Sequence, residues 1–117
     1  MKFKLIIVMT QDELTDRAIE TARKHGATGS TVITSARGEG LNPQQTFLGL
    51  TVGGQRDMIL FLVEDHHCRE IMEAVGDACE FETEPGTGVA FQIDIEDAIG
   101  LSGQIQSIKQ DIDKEDL

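Results

Sequence analysis

The sequence predicts one α+β domain with the element order βαββαβ. Two apolar runs of strand length, Phe3–Met9 and Met58–Val63, are each followed by a segment whose apolar residues have helical spacing. A glycine-rich stretch, residues 37–56, separates the two halves and has little periodicity. A loop of this length inside a compact unit is more often functional than not. The 117 residues suit a single domain with a modest core.

The first half of the chain is interpreted as strand, helix, strand. Phe3–Met9 is apolar enough for a central strand with both faces covered. Thr10-Gln-Asp-Glu13 has the form of a capping box, so we expect the Thr10 side chain to cap a helix. The apolar face of this helix carries Leu14, Ala18, Ile19 and Ala22. The basic run Arg23–His25 followed by Gly26 favours a helix end there, and Thr31–Ala36 is predicted to be the second strand.

The second half repeats this order after the loop. Met58–Val63 is predicted to be a buried strand, and Asp65 to cap the second helix. The apolar face of that helix carries Cys68, Ile71, Met72, Val75 and Cys79. A turn at Pro85–Gly88 precedes an alternation of apolar and polar residues from Val89 to Ile95, which indicates a half-buried strand.

The end of the chain differs in composition from the rest. We expect residues 1–101 to form the domain and residues 102–117 to be an acidic C-terminal tail. From the last residue of the domain into the tail, apolar residues recur at spacings of 4, 3 and 4, so part of the tail is compatible with an amphipathic helix. These residues are Leu101, Ile105, Ile108 and Ile112.

Composition restricts the classes of partner. The formal net charge is −11, which disfavours nucleic acid and anionic membrane surfaces as partners. No apolar run approaches the ~20 residues that span a bilayer. Residues 2–9 lead into a charged segment without a cleavage site, so we interpret them as a strand and not as a signal peptide. Two cysteines are too few for a disulfide scaffold, and we expect a cytoplasmic, reduced protein.

The βαββαβ order is the ferredoxin-like arrangement. Glycine motifs between its elements resemble those of a known family. Gly26-x-x-Gly29-x-Thr31-Val32, followed by Gly38-x-Gly40, is similar to the turn, second strand and T-loop entry of the PII nitrogen-regulatory signalling proteins. Pro85-Gly-Thr-Gly88-Val-Ala-Phe91, followed by Ile95-Glu-Asp-Ala-Ile99, resembles the B-loop, fourth strand and subsequent turn of that family. The resemblance covers roughly residues 1–101 and rests on the order and spacing of the motifs.

The resemblance implies a homotrimer that binds adenine nucleotides in clefts between subunits. It also implies that the long loop changes shape to control a protein target, in some divergent members an ion transporter. By position, Thr31 lies near the adenine and the main chain of Leu62 and Val63 lies at the adenine edge. The residues expected near the phosphates are Gly38, Gly40, Gly86, Thr87 and Gly88.

Departures from the family pattern change the expected ligand. Val89 stands where the family has its phosphate-binding lysine, and Gly100 and Ser102 stand where it has two arginines. Because charge without a counter-ion is costly to bury, we expect an effector with few phosphates, AMP or ADP, to bind more tightly than ATP. A cyclic nucleotide is a further candidate, and no cofactor is required. The chain has no tyrosine, so the family's tyrosine-linked nucleotidylation cannot operate, and the chain resembles the divergent PII-like branch.

Residues of the long loop are candidates for binding through charge or exposed apolar surface. Arg37 and Arg56 flank the loop, and either can meet an anionic ligand or pair with a carboxylate at the surface. Thr46, Phe47 and Leu48 have no local core to join, so we interpret them as a docking point for a protein partner.

A metal-binding or metal-tolerance protein on the same trimeric fold is the alternative hypothesis. His66, His67 and Cys68 are metal-capable neighbours, and Glu80, Glu82 and Glu84 alternate in a short run. Consecutive helical residues point about 100° apart, so three neighbours do not readily converge on one ion. We therefore predict no metal site, with His66 and His67 as the residues of the alternative. No catalytic set is apparent, and the chain is not expected to be an enzyme.

Overall fold

The computed structural model describes residues 2–34, 46–47, 50–51 and 56–101, with the two short pairs described by their backbone. It confirms the α+β class and the βαββαβ order, with a small hairpin added inside the long loop. The elements are β1 (Phe3–Gln11), α1 (Thr15–Lys24), β2 (Thr31–Ile33), β3 (Thr46–Phe47), β4 (Leu50–Thr51), β5 (Arg56–Glu64), α2 (Asp65–Ala78) and β6 (Gly88–Asp94), with a 3₁₀ turn at Asp12–Leu14.

The main sheet has four antiparallel strands in the order β2-β5-β1-β6. The long central strands β1 and β5 pair over their full length, from Phe3 opposite Glu64 to Gln11 opposite Arg56. β3 and β4 form a separate two-stranded sheet. The expectation that residues 37–56 lack strands was therefore wrong at the hairpin positions, where a short backbone pairing had no hydrophobic alternation to reveal it.

Both helices pack on one face of the sheet. Alternate residues of the central strands, such as Ile6, Val8, Ile59 and Phe61, are essentially inaccessible to solvent there. The helices contribute Ala18, Ala22, Cys68, Ile71 and Val75 to the same cluster. The predicted apolar face of the second helix is thus confirmed as core-facing, and burial of this stripe holds the helix on the sheet.

Thr10 does not cap a helix, contrary to the sequence prediction. Strand β1 continues through Gln11, and the 3₁₀ turn that follows has no side-chain cap. Thr10 is fully buried, and its hydroxyl donates a 2.8 Å hydrogen bond to the carbonyl of Thr87. Strand pairing on both sides fixes Thr10 in the sheet, so its hydroxyl serves the turn before β6 and not the helix start.

The cap of α2 is Glu64 and not Asp65. Glu64 has extended backbone angles, φ −75 and ψ 143, and its carboxylate accepts a 2.8 Å hydrogen bond from the His66 amide. Asp65 is already the first helical residue, and its carboxylate lies 3.7 Å from Lys4 Nζ. The prediction was wrong by one position because the strand ends one residue later than the apolar run.

Other boundaries agree with the predicted elements to within a few residues. Gly26 has φ +115, the left-handed conformation that ends α1 as predicted. β2 ends at Ile33, whereas the predicted strand reached Ala36, which lies outside the described residues. The predicted tail, 102–117, also lies outside them.

Candidate functional site

The sheet face opposite the helices is apolar. Strand alternation and register place nine apolar side chains on it, namely Leu5, Ile7, Met9, Met58, Leu60, Leu62, Val89, Phe91 and Ile93. In the single chain these side chains keep part of their surface, and Ile93 is 45% exposed. Ile33 on β2 adds a further 47% exposed side chain. A continuous apolar surface of this kind is typical of a protein contact.

The predicted nucleotide-binding residues that the structure describes fall into two groups at opposite edges of the sheet. Thr31 lies on β2, opposite Leu60, and Gly86–Gly88 lie at the start of β6. Following the register from Thr31 through Leu60 and Ile7 leads to Phe91, three residues beyond Gly88. Three strand spacings and three residues separate Thr31 from Gly88 by roughly 17 Å. One chain therefore does not bring the two groups together.

The Thr31 group is an accessible strand edge. Thr31 is exposed, and β2 pairs with β5 only along Met58–Leu60. Leu62 and Val63 extend beyond that pairing, and within the described residues no strand pairs with them on the β2 side. The Val63 side chain is in the core with 2% exposure, so only its main chain is placed to meet a ligand. Free strand-edge amides and carbonyls are suited to the hydrogen-bonding edge of a purine.

The Gly86–Gly88 group is a turn that hydrogen bonds hold in place. The Thr87 carbonyl accepts from Thr10 Oγ1 at 2.8 Å and from the Gln11 amide at 3.2 Å. The Thr87 hydroxyl lies 2.9 Å from the carbonyl of Glu84 and 3.2 Å from that of Glu80. Gly86 has φ +83, a conformation that strains any residue with a side chain. The turn is thus a fixed element, and its backbone is open to close approach at Gly86, where an added Cβ meets nothing within 4 Å.

Arg56 joins β5 to this turn. Its Nη1 donates a 3.1 Å hydrogen bond to the carbonyl of Gly86, and the residue is only 9% exposed. The sequence placed Arg56 beside the long loop without indicating this contact. Gln11 pairs with Arg56 and Thr10 pairs with Gly88, so the first residues of β5 and β6 both lie beside the last residues of β1. Among the described residues, Arg56 thus donates directly to this turn, and Arg69 lines a groove that Gly86 and Gly88 also line.

Gly88 is required by packing inside the chain. A Cβ built on it would lie 2.7 Å from Cζ of Phe81 and 2.8 Å from the carbonyl oxygen of Met9. Both distances are shorter than real Cβ atoms show, and one partner is backbone. The absence of a side chain at Gly88 therefore allows the Phe81 ring to pack against the start of β6. This packing does not depend on a ligand.

Several predicted residues lie outside the described part of the chain. They are Arg37, Gly38, Gly40 and Leu48, each a proposed ligand or partner residue. The backbones of Thr46 and Phe47 pair with Thr51 and Leu50 in the β3–β4 hairpin.

The residues of the metal alternative face different neighbours. His66 Nδ1 lies 2.6 Å from Oε1 of Glu64, at the start of α2. The His67 ring lies over Gly26, where an added Cβ would be 3.4 Å from its Cγ. In residues 2–34 and 56–101 no three His, Cys, Asp or Glu side chains are grouped to hold a metal ion. The geometry of the described residues therefore does not favour the metal hypothesis.

Burial controls the chemistry of both thiols. Burial raises the pKa of Cys68, although nearby Lys4 opposes this, and burial likewise raises the pKa of Cys79. Both are free thiols, and Cys68 Sγ lies 3.2 Å from Oε1 of Gln92. A hydrogen bond to Asp94 raises the pKa of Lys4. High thiol pKa values disfavour the thiolate, which is the form that binds metals and reacts with electrophiles.

Among the described residues, no helix is both long and apolar enough to cross a membrane.

Comparison with protein families gives a match to the family described as Nitrogen regulatory protein P-II, over residues 3–104. A comparison with curated protein sequences gives no significant match.

Solved structures with the same fold include PII-like proteins. A PII-like signaling protein from Thermus thermophilus is 21% identical with a TM-score of 0.60, and the alignment covers 81% of this chain and 88% of that one. CPII from Thiomonas intermedia, a nitrogen regulatory PII-like protein, is 18% identical in its apo form with a TM-score of 0.61, over 81% of this chain and 90% of that one. The structure of CPII bound to ADP, AMP and acetate is 17% identical with a TM-score of 0.62, over 84% of this chain and 90% of that one.

Proposed function

This chain belongs to the Nitrogen regulatory protein P-II family, and we propose that it is a trimeric PII-like signalling protein that binds an adenine nucleotide between subunits. In this proposal, loop 37–56 transmits the bound state to a transporter or a metabolic enzyme, and the protein is a regulator without catalytic activity of its own. Arg37, Gly38 and Gly40 would complete the phosphate side of the site.

The separation of Thr31 from Gly86–Gly88 is the observation that carries the proposal. A nucleotide that reached both groups within one chain would have to lie across the apolar sheet face. Its ribose would then rest on side chains such as Ile7 and Leu60, which offer the ribose hydroxyl groups no hydrogen bonds. A second copy that sets its Thr31 edge beside the Gly86–Gly88 turn avoids this cost.

The apolar sheet face supports assembly of the chain. Nine apolar side chains on this face keep part of their surface in the monomer, and contact between copies would remove that surface from water. Symmetric homo-oligomers bury the same patch in every subunit, which suits a face formed by the central strands.

The class of ligand in this proposal is taken from CPII, whose structure bound to ADP, AMP and acetate has the same fold. We extend that class to this chain because the family is shared, and we narrow it to nucleotides with few phosphates. Val89 contributes no charge beside the glycine turn, and Arg56 is a cation that already donates to the Gly86 carbonyl.

A subunit-mixing experiment tests the shared site. Thr31→Glu alters the exposed strand edge, and Gly86→Ala adds a methyl group where the ligand would approach. We expect each variant alone to lose AMP binding. When the two are co-expressed and assemble at random, about one quarter of the interfaces combine an intact Thr31 edge with an intact turn, so about one quarter of the AMP stoichiometry should return.

Calorimetry with AMP and with ADP measures this stoichiometry, and sedimentation equilibrium checks that both variants keep the assembly of the parent protein. A site within one chain returns no binding in the mixture and contradicts the shared site. A stable monomer at micromolar concentration contradicts both the shared site and the trimer. Unchanged binding in both variants places the nucleotide elsewhere.

A further inference from the structure

A groove on the helix side of β6 begins at the glycine turn and extends away from it along α2, beyond the residues that the proposed function uses. It has a volume of about 660 Å³ and lies between the second half of α2 and the segment Phe81–Ala90. Gly86 and Gly88 of the glycine turn line one part of it, and its apolar side chains are those of Met72, Phe81, Pro85, Val89 and Ala90. Gly88 and Ala90 pair with Thr10 and Val8, which point toward the helices, so most of the groove lies on the helix side and Val89 lines it at the edge of β6.

Gly76 is an unusual residue for the wall of this groove. It lies inside α2, where glycine costs roughly 1 kcal/mol of helix stability relative to alanine. The fold does not require it, because Gly76 has no positive φ and an added Cβ would meet nothing within 4 Å. The glycine thus keeps space open on the groove side of the helix, where another backbone can approach closely.

The charge of the groove defines what can enter it. Among the residues that the structure describes, three acidic ones, Glu73, Asp77 and Glu82, line it together with one basic residue, Arg69. The Arg69 Nε donates a 2.8 Å hydrogen bond to Oε1 of Glu73, so the side chain of Arg69 is already directed at one of these acids. The net charge of −11 for the whole chain acts in the same direction. The acidic wall that Glu73, Asp77 and Glu82 contribute attracts a cationic ligand.

We propose that this groove docks a short peptide segment of a partner protein, in which basic side chains flank apolar ones. The apolar side chains would contact Met72 and Phe81, the basic ones would pair with Asp77 and Glu82, and the peptide backbone would approach α2 at Gly76. The residues that line this surface belong to α2 and the segment 81–90, and docking of a peptide on them goes beyond the proposed function. It gives the protein a second docking surface, on the helical side of the domain.

Binding of a seven-residue peptide that alternates arginine and leucine tests the proposal. Fluorescence anisotropy of the labelled peptide is measured with the full chain and with Gly76→Ala, and Gly29→Ala is the control. Gly29 also has open space around its Cβ position but lies outside the groove. Neither substitution changes net charge, so unspecific attraction of the basic peptide is the same in all three proteins.

We expect Gly76→Ala to weaken binding at least fivefold and Gly29→Ala to leave it unchanged. Glu82→Gln should weaken binding about threefold, whereas Glu13→Gln, the same change at an exposed residue away from the groove, should have less effect. The thermal midpoint of Gly76→Ala should equal or exceed that of the parent, which shows that the variant is folded.

Three results would overturn the proposal. One is equal affinity for the parent and Gly76→Ala, and another is no saturable binding by the parent. A change in sedimentation of Gly76→Ala would assign the groove to contacts between copies of this chain. If the parent protein binds the peptide but binds no nucleotide, only the proposed function is contradicted. The two proposals can therefore fail independently.

Discussion

The phenyl ring of Phe81 lies directly against Gly88, at the point where β6 begins. The space that a side chain on Gly88 would fill is occupied by this ring and by the carbonyl oxygen of Met9 on the neighbouring strand. Phe81 is held there by its amide, which donates a 3.0 Å hydrogen bond to the Gly76 carbonyl at the end of α2. Gly88 is therefore a packing residue of the fold as well as a candidate for ligand contact.

Gly88→Ala should destabilise the protein, because the new Cβ forces the Phe81 ring or strand β1 to shift. Overpacking of this kind costs about 1–3 kcal/mol. Urea unfolding at one fixed protein concentration measures the change. Because the Phe81 ring occupies this space, a substitution at Gly88 does not test ligand contact separately from stability.

Gly29→Ala is the control for this experiment, since its Cβ position is open and its φ is not positive. A stability equal to that of the parent in both variants would show that the Phe81 ring moves away at no cost.

The buried contact between Thr15 and Asp57 should be a strong determinant of stability. Thr15 Oγ1 donates a 2.6 Å hydrogen bond to Oδ2 of Asp57, and both residues are less than 9% exposed. Thr15→Val keeps the shape of the side chain but leaves the carboxylate without this donor, which costs about 1–3 kcal/mol. Thr15→Ser keeps the hydroxyl and should lose less. Equal urea midpoints for the valine and serine variants would contradict a role for the hydrogen bond.

AMP and ADP should bind more tightly than ATP. Among the described residues, Arg56 already donates to the Gly86 carbonyl, and Arg69, which lines the groove beside the turn, is paired with Glu73. Each further phosphate therefore adds charge that has to be desolvated. Calorimetry with the three nucleotides under identical magnesium and salt conditions measures the order. ATP binding tenfold tighter than AMP would mean that residues such as Arg37 supply the missing cations.

Stability should fall as the pH rises above about 9, in part because of the two thiols. Burial raises the pKa of Cys68 and Cys79 above the ordinary value of 9.0. The unfolded chain then releases these protons at lower pH than the folded chain does, so raising the pH favours unfolding. The thiol contribution is fully present below pH 9.0 and is lost as the pH approaches the folded pKa values.

The double variant Cys68→Ala, Cys79→Ala lacks the contribution of the thiols to the pH dependence. It keeps the contribution of Lys4, whose pKa is raised by the hydrogen bond to Asp94. Its unfolding free energy should therefore decline less steeply than that of the parent as the pH rises from about 8.5 to about 10.5, whatever its absolute value. Parallel pH profiles would show that the two thiols ionise alike in the folded and unfolded chains.

Deletion of residues 42–53 should leave the domain folded and assembled but disconnect it from its protein target. The deleted segment contains the β3–β4 pair, which forms a sheet of its own and does not join the main sheet. Shortening a surface loop changes the closure entropy only slightly. Affinity purification from the native cell with both baits compares the recovered proteins. Identical recovery would assign the output to another surface.

The amino-acid pattern alone determined the order of the elements and the buried face of each helix. The run Phe3–Met9 and the stripe from Cys68 to Cys79 were sufficient, because burial of apolar surface dominates folding and strand and helix periods are regular. The glycine motifs also identified the family, since their order along the chain reflects the joints between elements.

Only the tertiary structure decided which polar groups meet. The segment Thr10–Glu13 has the full capping-box pattern of a helix start. Strand pairing on both sides of β1 nevertheless directs the Thr10 hydroxyl to the Thr87 carbonyl. The approach of Arg56 to Gly86 joins residues thirty positions apart, and no local pattern encodes it. The separation of Thr31 from Gly88 likewise depends on the strand order β2-β5-β1-β6. Hydrogen bonds and distances between remote segments depend on register and packing, which a sequence period does not specify.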